Sequence, residues 1–194
     1  MKLQIAVLAL QGAFIEHEKI LHSLDADVFE LRQLRDLERR CDALILPGGE
    51  STVQSKLLKE LKLFTPLKQM ISNGLPVMAT CAGAILLAEK IDGDPAVHFA
   101  TFPVTIRRNA FGRQLASFYT DGTFSSLPEK LPMPFIRAPQ IISTGKDVEI
   151  LARYNDQPTA VKYGNQLALT WHPEITGCRE VHRYFLENIV KISG

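Results

Sequence analysis

The chain has 194 residues, of which 46% are hydrophobic and 22% are charged, an ordinary composition for one soluble globular domain. Lys and Arg number 22 and Asp and Glu number 21, so the net charge of +1 gives no support to a nucleic-acid or membrane partner. The three cysteines are Cys41, Cys81 and Cys178, and their odd number without any CxxC spacing argues against a disulfide framework or a zinc site. No apolar run is long enough to cross a membrane and no signal peptide is recognisable, so we expect one cytoplasmic domain over residues 1–194.

The first half of the chain alternates short apolar runs with helical patterns. Buried strands are predicted at residues 3–10, 28–31, 43–46 and 76–79. Helices are predicted at residues 14–24, 51–61, 64–71 and 82–89, and Ser51 or Thr52 is expected to cap the second helix. The charged stretch 32–40 is typical of a solvated helical turn. This alternation predicts βαβ units, a parallel sheet and right-handed crossovers.

The second half changes to short strands that are separated by Gly, Pro, Asn and Asp. These strands are predicted at residues 99–107, 115–119, 135–137, 148–154, 159–163 and 167–171, and a closing helix at residues 178–192. No linker composition divides this half off, so we expect it to extend the first sheet with antiparallel strands. The predicted fold is α/β: a single-domain, three-layer fold with a mostly parallel central sheet flanked by helices, plus antiparallel strands in the second half.

Cys81 lies on the turn between a predicted strand and a predicted helix. This layout is that of a nucleophile elbow, which lifts one side chain above the end of a sheet. The helix N-terminus there favours a thiolate, and its free backbone N–H groups can stabilise an oxyanion. The alternative is that Cys81 is a small buried hydrophobe, as most free cysteines are. From this stretch alone the two interpretations are about equally favoured.

His172 follows directly on the last predicted strand, with Glu174 two residues later. A thiolate nucleophile needs a base, and the base needs a group that holds its tautomer. In extended chain the spacing of two places both side chains on one side, and Pro173 restricts the local backbone. The alternative is a loop with an incidental His and Glu. The other four histidines are interpreted as surface or packing residues: His17, His22, His98 and His182.

A third element is the turn at residues 47–51, where Gly48 and Gly49 follow a predicted strand. Paired glycines let the backbone approach a ligand and aim its N–H groups. The turn lacks the Gly-Lys-Ser/Thr ending of a phosphate-binding P-loop. It is suited to an oxyanion hole or a substrate clamp, although such turns are common and unspecific when taken alone.

Together these features resemble the class I, or triad, glutamine amidotransferases. The chain is similar in particular to the glutaminase subunits of pyridoxal 5'-phosphate synthase, in motifs that run in order at residues 10–12 (LQG), 46–52 (LPGGEST), 80–83 (TCAG), 108–114 (RNAFGRQ), 135–139 (FIRAP) and 171–174 (WHPE). One departure is Ala79, which takes the place of the first Gly in the usual Gly-Thr-Cys-Ala-Gly. It removes no reacting group.

The resemblance implies a role for each matching residue. Cys81 is the implied nucleophile, His172 the base and Glu174 its orienting partner. The residues implied to bind L-glutamine are Gly49, Glu50, Ser51, Arg108, Ile136 and Arg137. The implied oxyanion hole consists of backbone N–H groups of Gly48, Gly49 and Ala82. No metal and no cofactor is required for this chemistry.

The implied function is hydrolysis of L-glutamine to L-glutamate and ammonia. The ammonia would pass to a separate synthase subunit in a ring-shaped hetero-oligomer, with Gln11 and the first helix facing that partner, and the lone glutaminase would be poorly active until docked. One alternative is a triad glutaminase or γ-glutamyl hydrolase of another pathway. The more distant alternative is a non-enzymatic redox sensor that uses Cys81, which has no use for the His172 and Glu174 pair.

Overall fold

The computed structural model describes residues 2–108, 117–125 and 127–191. The elements of the first half follow in the order β1 (Gln4–Leu8), α1 (Phe14–Ser23), β2 (Asp27–Leu31), β3 (Ala43–Leu46), α2 (Ser51–Glu60), α3 (Phe64–Ser72), β4 (Val77–Thr80), α4 (Ala82–Leu87) and β5 (Ala88–Ile91). Those of the second half are β6 (Phe102–Arg107), β7 (Ser117–Gly122), β8 (Leu131–Ile136), β9 (Gln140–Thr144), β10 (Glu149–Tyr154), β11 (Gln157–Tyr163), β12 (Gln166–Leu169) and α5 (Glu180–Phe185). A 3-10 helix at Leu34–Glu38 buries none of its residues, as the charged stretch predicts.

The central sheet has seven strands in the order β10-β11-β12-β4-β3-β1-β2. The five strands from β12 to β2 are parallel, and β10 and β11 join them in antiparallel pairing. Every residue of β3 and β4 is buried, because both faces of the sheet are covered. The predicted fold class, α/β with a mostly parallel sheet and antiparallel strands in the second half, is confirmed.

The two faces of β1 lie in two separate hydrophobic cores. Ile5 and Val7 pack on one face with residues of α1 and α5, and Ala6 and Leu8 pack on the other with residues of α2, α3 and α4. Successive side chains of a strand point to opposite faces, so an unbroken apolar run is what a strand between two helical layers needs. The result is the three-layer arrangement expected from the sequence. No helix among residues 2–108, 117–125 and 127–191 is long and apolar enough to cross a membrane.

The second half departs from a simple extension of the sheet. Only β10, β11 and β12 join the central sheet; β5, β6 and β9 form a second sheet, and β7 and β8 form a third. Strand β9 was absent from the prediction because Ile141 is its only buried residue, so it shows no apolar run. The helix predicted at 82–89 ends at Leu87, since the next four residues pair with β6.

The chain closes with α5 and a π-helical turn at Leu186–Val190. The predicted helix at 178–192 therefore begins two residues later, at Glu180, and Ile192 lies outside the described residues. Leu115, the predicted start of β7, also lies outside the described residues, as does all of the motif at 108–114 except Arg108. The packing of Val181 and Phe185 in the core explains why the helical pattern was visible in this segment.

Candidate active site

One pocket lies at the edge of the central sheet where its parallel strands end. The turns after β1, β3, β4 and β12 all open at this edge, as expected for an open α/β sheet. The pocket has a volume of about 420 Å³. Its lining includes Gln11, Gly12, Ala13, Gly48, Gly49, Glu50, Ser51, Cys81, Ala82, Ile85, Arg108, Ile136, Arg137, His172 and Ile175. All the sequence-predicted site residues except Glu174 line it, and Glu174 lies behind His172.

Cys81 occupies the sharp turn between β4 and α4. Its φ of 47° and ψ of −101° are an unusual backbone conformation for a residue with a side chain. The Cys81 N–H donates to the carbonyl of Leu169 at 2.8 Å, which ties the turn to β12. Gly83 follows, and a Cβ there would lie 2.1 Å from the Leu46 carbonyl oxygen, so the turn requires glycine at that position. These features favour the nucleophile elbow over an ordinary buried cysteine.

His172 lies between Cys81 and Glu174. Its Nδ1–H donates to Glu174 Oε1 at 2.7 Å, and the side chain of Cys81 is close enough to act on its pKa. Burial alone would lower the pKa of His172, but Cys81 and Glu174 outweigh burial and raise it to about 10. The His172 imidazole is therefore held in its protonated form around neutral pH, next to the Cys81 sulfur.

Glu174 lies on a 3-10 helix at Pro173–Thr176, not on extended chain as the spacing argument assumed. Pro173 begins this turn, and the tight helix still returns the carboxylate to its neighbour two residues earlier. Burial would raise the pKa of Glu174, but His17 and His172 outweigh burial and hold it below its usual value. The side chain of Glu174 is fully buried and ionised.

The turn after β3 packs directly on the ring of His172. A Cβ at Gly48 would lie 2.3 Å from His172 Cε1, so only glycine leaves room for the imidazole. The Gly48 N–H donates to Thr80 Oγ1 at 3.0 Å. The predicted oxyanion role of Gly48 is therefore not met in this arrangement, because its N–H already has a buried acceptor. Gly49 and Ala82 stay predicted oxyanion donors, and Ala82 starts α4, where N–H groups have no partner within the helix.

Gln11 holds this same turn from the side of β1. Its Oε1 accepts the N–H of Glu50 at 2.7 Å, and its carbonyl accepts the side-chain amide of Gln54 at 2.9 Å. The Ala13 N–H donates to the Gly48 carbonyl at 3.0 Å, and Gly12 lies so close that a Cβ there would be 1.8 Å from the same oxygen. The turns after β1 and β3 thus form one hydrogen-bonded unit.

Glu50, and not Ser51 or Thr52, caps α2. Its Oε1 accepts the N–H of Thr52 at 3.2 Å and its Oε2 accepts that of Val53 at 2.9 Å. The predicted cap was wrong because the carboxylate reaches two orphan N–H groups, where a hydroxyl would satisfy one. The capping bonds hold the negative charge of Glu50 at the pocket rim, where it can meet a positively charged ligand group.

Arg108 reaches the pocket with its guanidinium already oriented by two neighbours. Its Nη1 donates to Asp94 Oδ2 at 2.9 Å, and its Nη2 donates to His98 Nε2 at 3.3 Å. Burial, and then the charge of Arg108, lower the pKa of His98, so this ring is neutral and accepts a hydrogen bond. His98 is thus a packing residue, as predicted, with an added contact to a site residue that only the tertiary structure reveals.

Ile136 and Arg137 approach from the end of β8. The Ile136 carbonyl lies 4.0 Å from Cys81 Sγ, and Arg137 follows in the left-handed region with a φ of 43°. That conformation turns the chain at the pocket wall. Both residues line the pocket together with Arg108, so two arginines border the site. In the part of the chain that the structure describes, no cluster of three or more His, Cys, Asp or Glu could hold a metal ion.

His17 and His182 are buried next to Glu174, although the sequence indicated only surface or packing histidines. His17 Nε2 lies 3.6 Å from Glu174 Oε2, and His17 Nδ1 lies 2.8 Å from His182 Nε2. No short-range pattern reports this contact, because it joins α1, α5 and the segment after β12. His22, by contrast, is exposed on α1.

The chain is similar to known proteins along most of its length. The chain is 56% identical to the pyridoxal 5'-phosphate synthase subunit PdxT of Desulfitobacterium hafniense (strain DSM 10664 / DCB-2), over 96% of this chain and 94% of that one. It is 46% identical to the protein of the same name from Haemophilus influenzae (strain PittEE), over 95% of this chain and 97% of that one.

Among solved structures, the fold is similar to that in a crystal structure of a glutamine amidotransferase, with a TM-score of 0.90, 40% identity, and coverage of 96% of this chain and 98% of that one. The model of the SNO glutamine amidotransferase family matches residues 7–191. That range includes Cys81, His172 and Glu174 and all the elements from which they extend. The chain belongs to the SNO glutamine amidotransferase family.

Proposed function

We propose that this chain is the glutaminase subunit of a pyridoxal 5'-phosphate synthase and that it hydrolyses L-glutamine to L-glutamate and ammonia. The observation that carries the proposal is the row formed by Cys81, His172 and Glu174 at the sheet edge, with its 2.7 Å hydrogen bond between the last two. The relatives from Desulfitobacterium hafniense and Haemophilus influenzae, which bear that subunit's name, support the choice of pathway.

The first step is attack of Cys81 on the side-chain carboxamide carbon of glutamine. The proton that the Cys81 thiol gives up is held on His172, the S–C bond forms, and the carbonyl electron pair moves to the oxygen. We assign the N–H groups of Gly49 and Ala82 to this oxyanion, a type of donor worth about 2.7–4 kcal/mol in other enzymes. The oxyanion then collapses, His172 protonates the amide nitrogen, and ammonia leaves a thioester on Cys81.

The second step is hydrolysis of that thioester. His172, now neutral, takes a proton from a water molecule whose oxygen attacks the thioester carbon. The C–S bond breaks, the Cys81 sulfur is left beside the protonated His172 as at the start of the cycle, and glutamate departs. Glu174 stabilises the imidazolium of His172 in both steps and keeps its Nδ1 protonated, so that the other ring nitrogen serves Cys81.

Recognition of free glutamine requires groups for its two charged ends. We assign the α-carboxylate to Arg108 and Arg137, which line the pocket, and the α-ammonium to the carboxylate of Glu50. Gly49, Ser51 and Ile136 complete the glutamine site through backbone contacts and the pocket wall. This set of charges favours a free amino acid over a peptide-bound glutamine, whose α-groups are neutral amides.

The ammonia passes, in this proposal, to a separate synthase subunit in a ring-shaped hetero-oligomer in the cytoplasm. The relatives are each named as one subunit of a synthase, which supports a second subunit as the ammonia acceptor. We assign Gln11 and the start of α1, at the rim of the pocket, to the docking surface. Residues 1–194 act as a single domain, since both cores pack on one sheet. The chemistry needs no metal and no organic cofactor.

The test is glutamate release from glutamine by the purified chain, with and without the synthase subunit of the same source. We expect activity that increases strongly on adding the synthase, and no turnover by Cys81→Ala. Cys41→Ala is the matched control, since Cys41 is a second free cysteine away from the pocket, and it should retain activity. Turnover by Cys81→Ala would refute the nucleophile, and equal activity without the synthase would point to another acceptor pathway. A folded chain inactive with a synthase that accepts free ammonia would favour the redox-sensor alternative.

A further inference from the structure

A pair of fully buried histidines lies behind the proposed triad, and the mechanism above uses neither. His17 on α1 and His182 on α5 are both 0% exposed, and their rings contact each other with a distance of 2.8 Å between His17 Nδ1 and His182 Nε2. Completely buried histidines are uncommon unless their ring nitrogens are used. The role of the two histidines can therefore be inferred from the polar groups that their ring nitrogens contact.

The other end of this pair faces the triad carboxylate. Glu174 Oε1 accepts the His172 hydrogen bond, whereas Glu174 Oε2 is buried and has no hydrogen-bond partner within 3.5 Å among the described residues. Its nearest recorded polar neighbour is His17 Nε2 at 3.6 Å. A buried carboxylate oxygen without a donor is costly, so the protonation of His17 Nε2 determines how well Glu174 stays ionised and in place.

The protons of the two rings can be assigned from these contacts. Burial lowers the pKa of both His17 and His182, so each ring is neutral and carries one proton. His17 Nε2 lies 3.2 Å from Thr80 Oγ1 and 3.6 Å from Glu174 Oε2. A proton on Nε2 can be shared between these two oxygens, whereas a lone pair there would face the negative Glu174 oxygen, so we assign the proton to Nε2. His17 Nδ1 must then accept, and His182 Nε2–H must donate. His182 Nδ1 is then the bare nitrogen. It makes no hydrogen bond within the described part of the chain, and burial lowers the pKa of this ring, an effect that the Cys178 carbonyl offsets only in part.

We infer that His17 and His182 are positioning residues that extend the triad into a buried chain running from His182 through His17, Glu174 and His172 to Cys81. The inference rests on the proposed roles of the triad. His182 selects the tautomer of His17, and His17 directs an N–H at the Glu174 oxygen that His172 does not use. Glu174 is thereby held from both sides, which fixes the ring of His172 against Cys81.

The pH dependence of this arrangement involves few other groups. The groups that act on Glu174 are His17 on α1, His172 on its own segment and, with the smallest effect, the backbone N–H of Glu174 itself. Those that act on His17 are Glu174, His172 and, with the smallest effect, Glu16 of its own helix. Loss of the His17 donor leaves a desolvated carboxylate with one partner, so the pKa of Glu174 moves upward and the acid limb of activity moves to higher pH.

The test compares two variants of His17 in the complex with the synthase. His17→Leu removes the donor, whereas His17→Gln can place an amide N–H near the position of Nε2. His22→Leu is the matched control, because His22 is exposed on the same helix. We expect His17→Leu to lower kcat about tenfold or more at little change in KM, as loss of a supporting partner does elsewhere. His17→Gln should recover much of the loss, and His22→Leu should behave like the wild type.

A merely structural role predicts a different result. Alkylation of Cys81 by 6-diazo-5-oxo-norleucine, a glutamine analogue, counts the folded sites, and kcat is then expressed per alkylated site. An unchanged kcat per site in His17→Leu, or equal loss in the Leu and Gln variants, would overturn the inference while the Cys81→Ala result leaves the proposed function standing.

A second measurement on the wild-type chain does not depend on folding of a variant or on activity. ¹⁵N NMR of histidine-labelled protein should find His17 neutral and protonated on Nε2. Protonation on Nδ1 would overturn the inference even if glutaminase activity is confirmed.

Discussion

At the scale of single residues, the site depends on backbone positions that tolerate few alternatives. Cys81 has a positive φ, Gly83 lies against the Leu46 carbonyl, and Gly48 leaves room for the ring of His172. The elbow turn at Cys81 could be predicted, as one of two equally favoured interpretations, because a strand, a cysteine, a glycine and a helix follow within a few residues. The roles of Thr80 and His17 were not, because their partners lie far away in sequence.

The raised pKa of His172 predicts a pH-dependent contribution to stability. Burial opposes it, but Cys81 and Glu174 raise the folded-state pKa to about 10, above the ordinary value of 6.5. The stabilisation is therefore fully present below about pH 6.5 and is lost as the pH rises through about 10. We expect the difference in unfolding free energy between wild type and His172→Gln, measured in urea, to shrink over this range.

The exposed His22 supplies the control for that titration. His22→Gln should change the unfolding free energy little, since this side chain is exposed on α1. A difference for His172→Gln that is constant from about pH 6 to pH 10 would contradict the assigned charge state of His172.

At the scale of elements, strand ends and turns were the predictable part of the site. The apolar runs that became β1, β3 and β4 are followed directly by the turns that line the pocket. The failures have local causes. Pro173–Thr176 forms a 3-10 helix because proline starts a helical turn as readily as it supports extended chain. The helix predicted at 82–89 ends at Leu87 and Ala88 begins β5, because pairing with β6 overrides the helix propensity of these residues.

The cap of α2 gives a prediction at this scale. Glu50→Ala leaves the N–H groups of Thr52 and Val53 without their acceptor, and we expect the unfolding free energy to fall by about 1 kcal/mol, within the usual range for caps. The same change should raise KM for glutamine, since the rim loses its carboxylate. Urea unfolding without substrate and steady-state kinetics measure the two effects separately.

Glu60, at the opposite end of the same helix, is the matched control. Its pairing with Lys56 is exposed and long at 3.8 Å, and a negative charge is unfavourable at a helix C-terminus. Glu60→Ala should therefore change neither stability nor KM appreciably. Equal loss of stability in both variants would contradict the capping role of Glu50.

At the scale of the whole molecule, the site depends on the order in which the strands pair in the central sheet. Cys81 and His172 come from distant parts of the chain, and the parallel pairing of β4 with β12 brings them together. The sequence indicated that both residues end strands of one sheet, but not that these strands are neighbours. Strand order depends on how all the helices pack on the two faces of the sheet. It therefore cannot be predicted from any single segment of the sequence.

Exposed apolar side chains in the pocket lining or within two residues of it in sequence fit the proposed docking surface. Ile15 on α1, Val53 on α2 and Ile175 after His172 are 48%, 41% and 41% exposed. We expect Ile15→Asp to weaken binding of the synthase subunit and to reduce the stimulated glutaminase rate about tenfold or more, as substitution of a central interface residue does. Analytical ultracentrifugation and glutamate release measure the two effects.

Leu61 offers a control of similar character. It is 38% exposed beyond the far end of α2, a helix of ten residues that spans about 15 Å. Leu61→Asp should leave both synthase binding and the stimulated rate unchanged. If Ile15→Asp and Leu61→Asp behave alike, the docking surface lies elsewhere on the molecule.

The bonds from Gln11 to the turn after β3 have a thermodynamic consequence. Gln11 and Ala13, which lead into α1, are hydrogen-bonded to Gly48, Glu50 and Gln54, on and after the turn that packs on the ring of His172. A partner that binds at α1 and shifts these hydrogen-bonded residues would therefore change the free energy of binding glutamine next to Cys81. Thermodynamic linkage makes this effect reciprocal. If the partner changes the affinity for glutamine by some factor, glutamine changes the affinity for the partner by the same factor. Cellular glutamine concentration would thus act on assembly of the complex as well as on its rate of ammonia production.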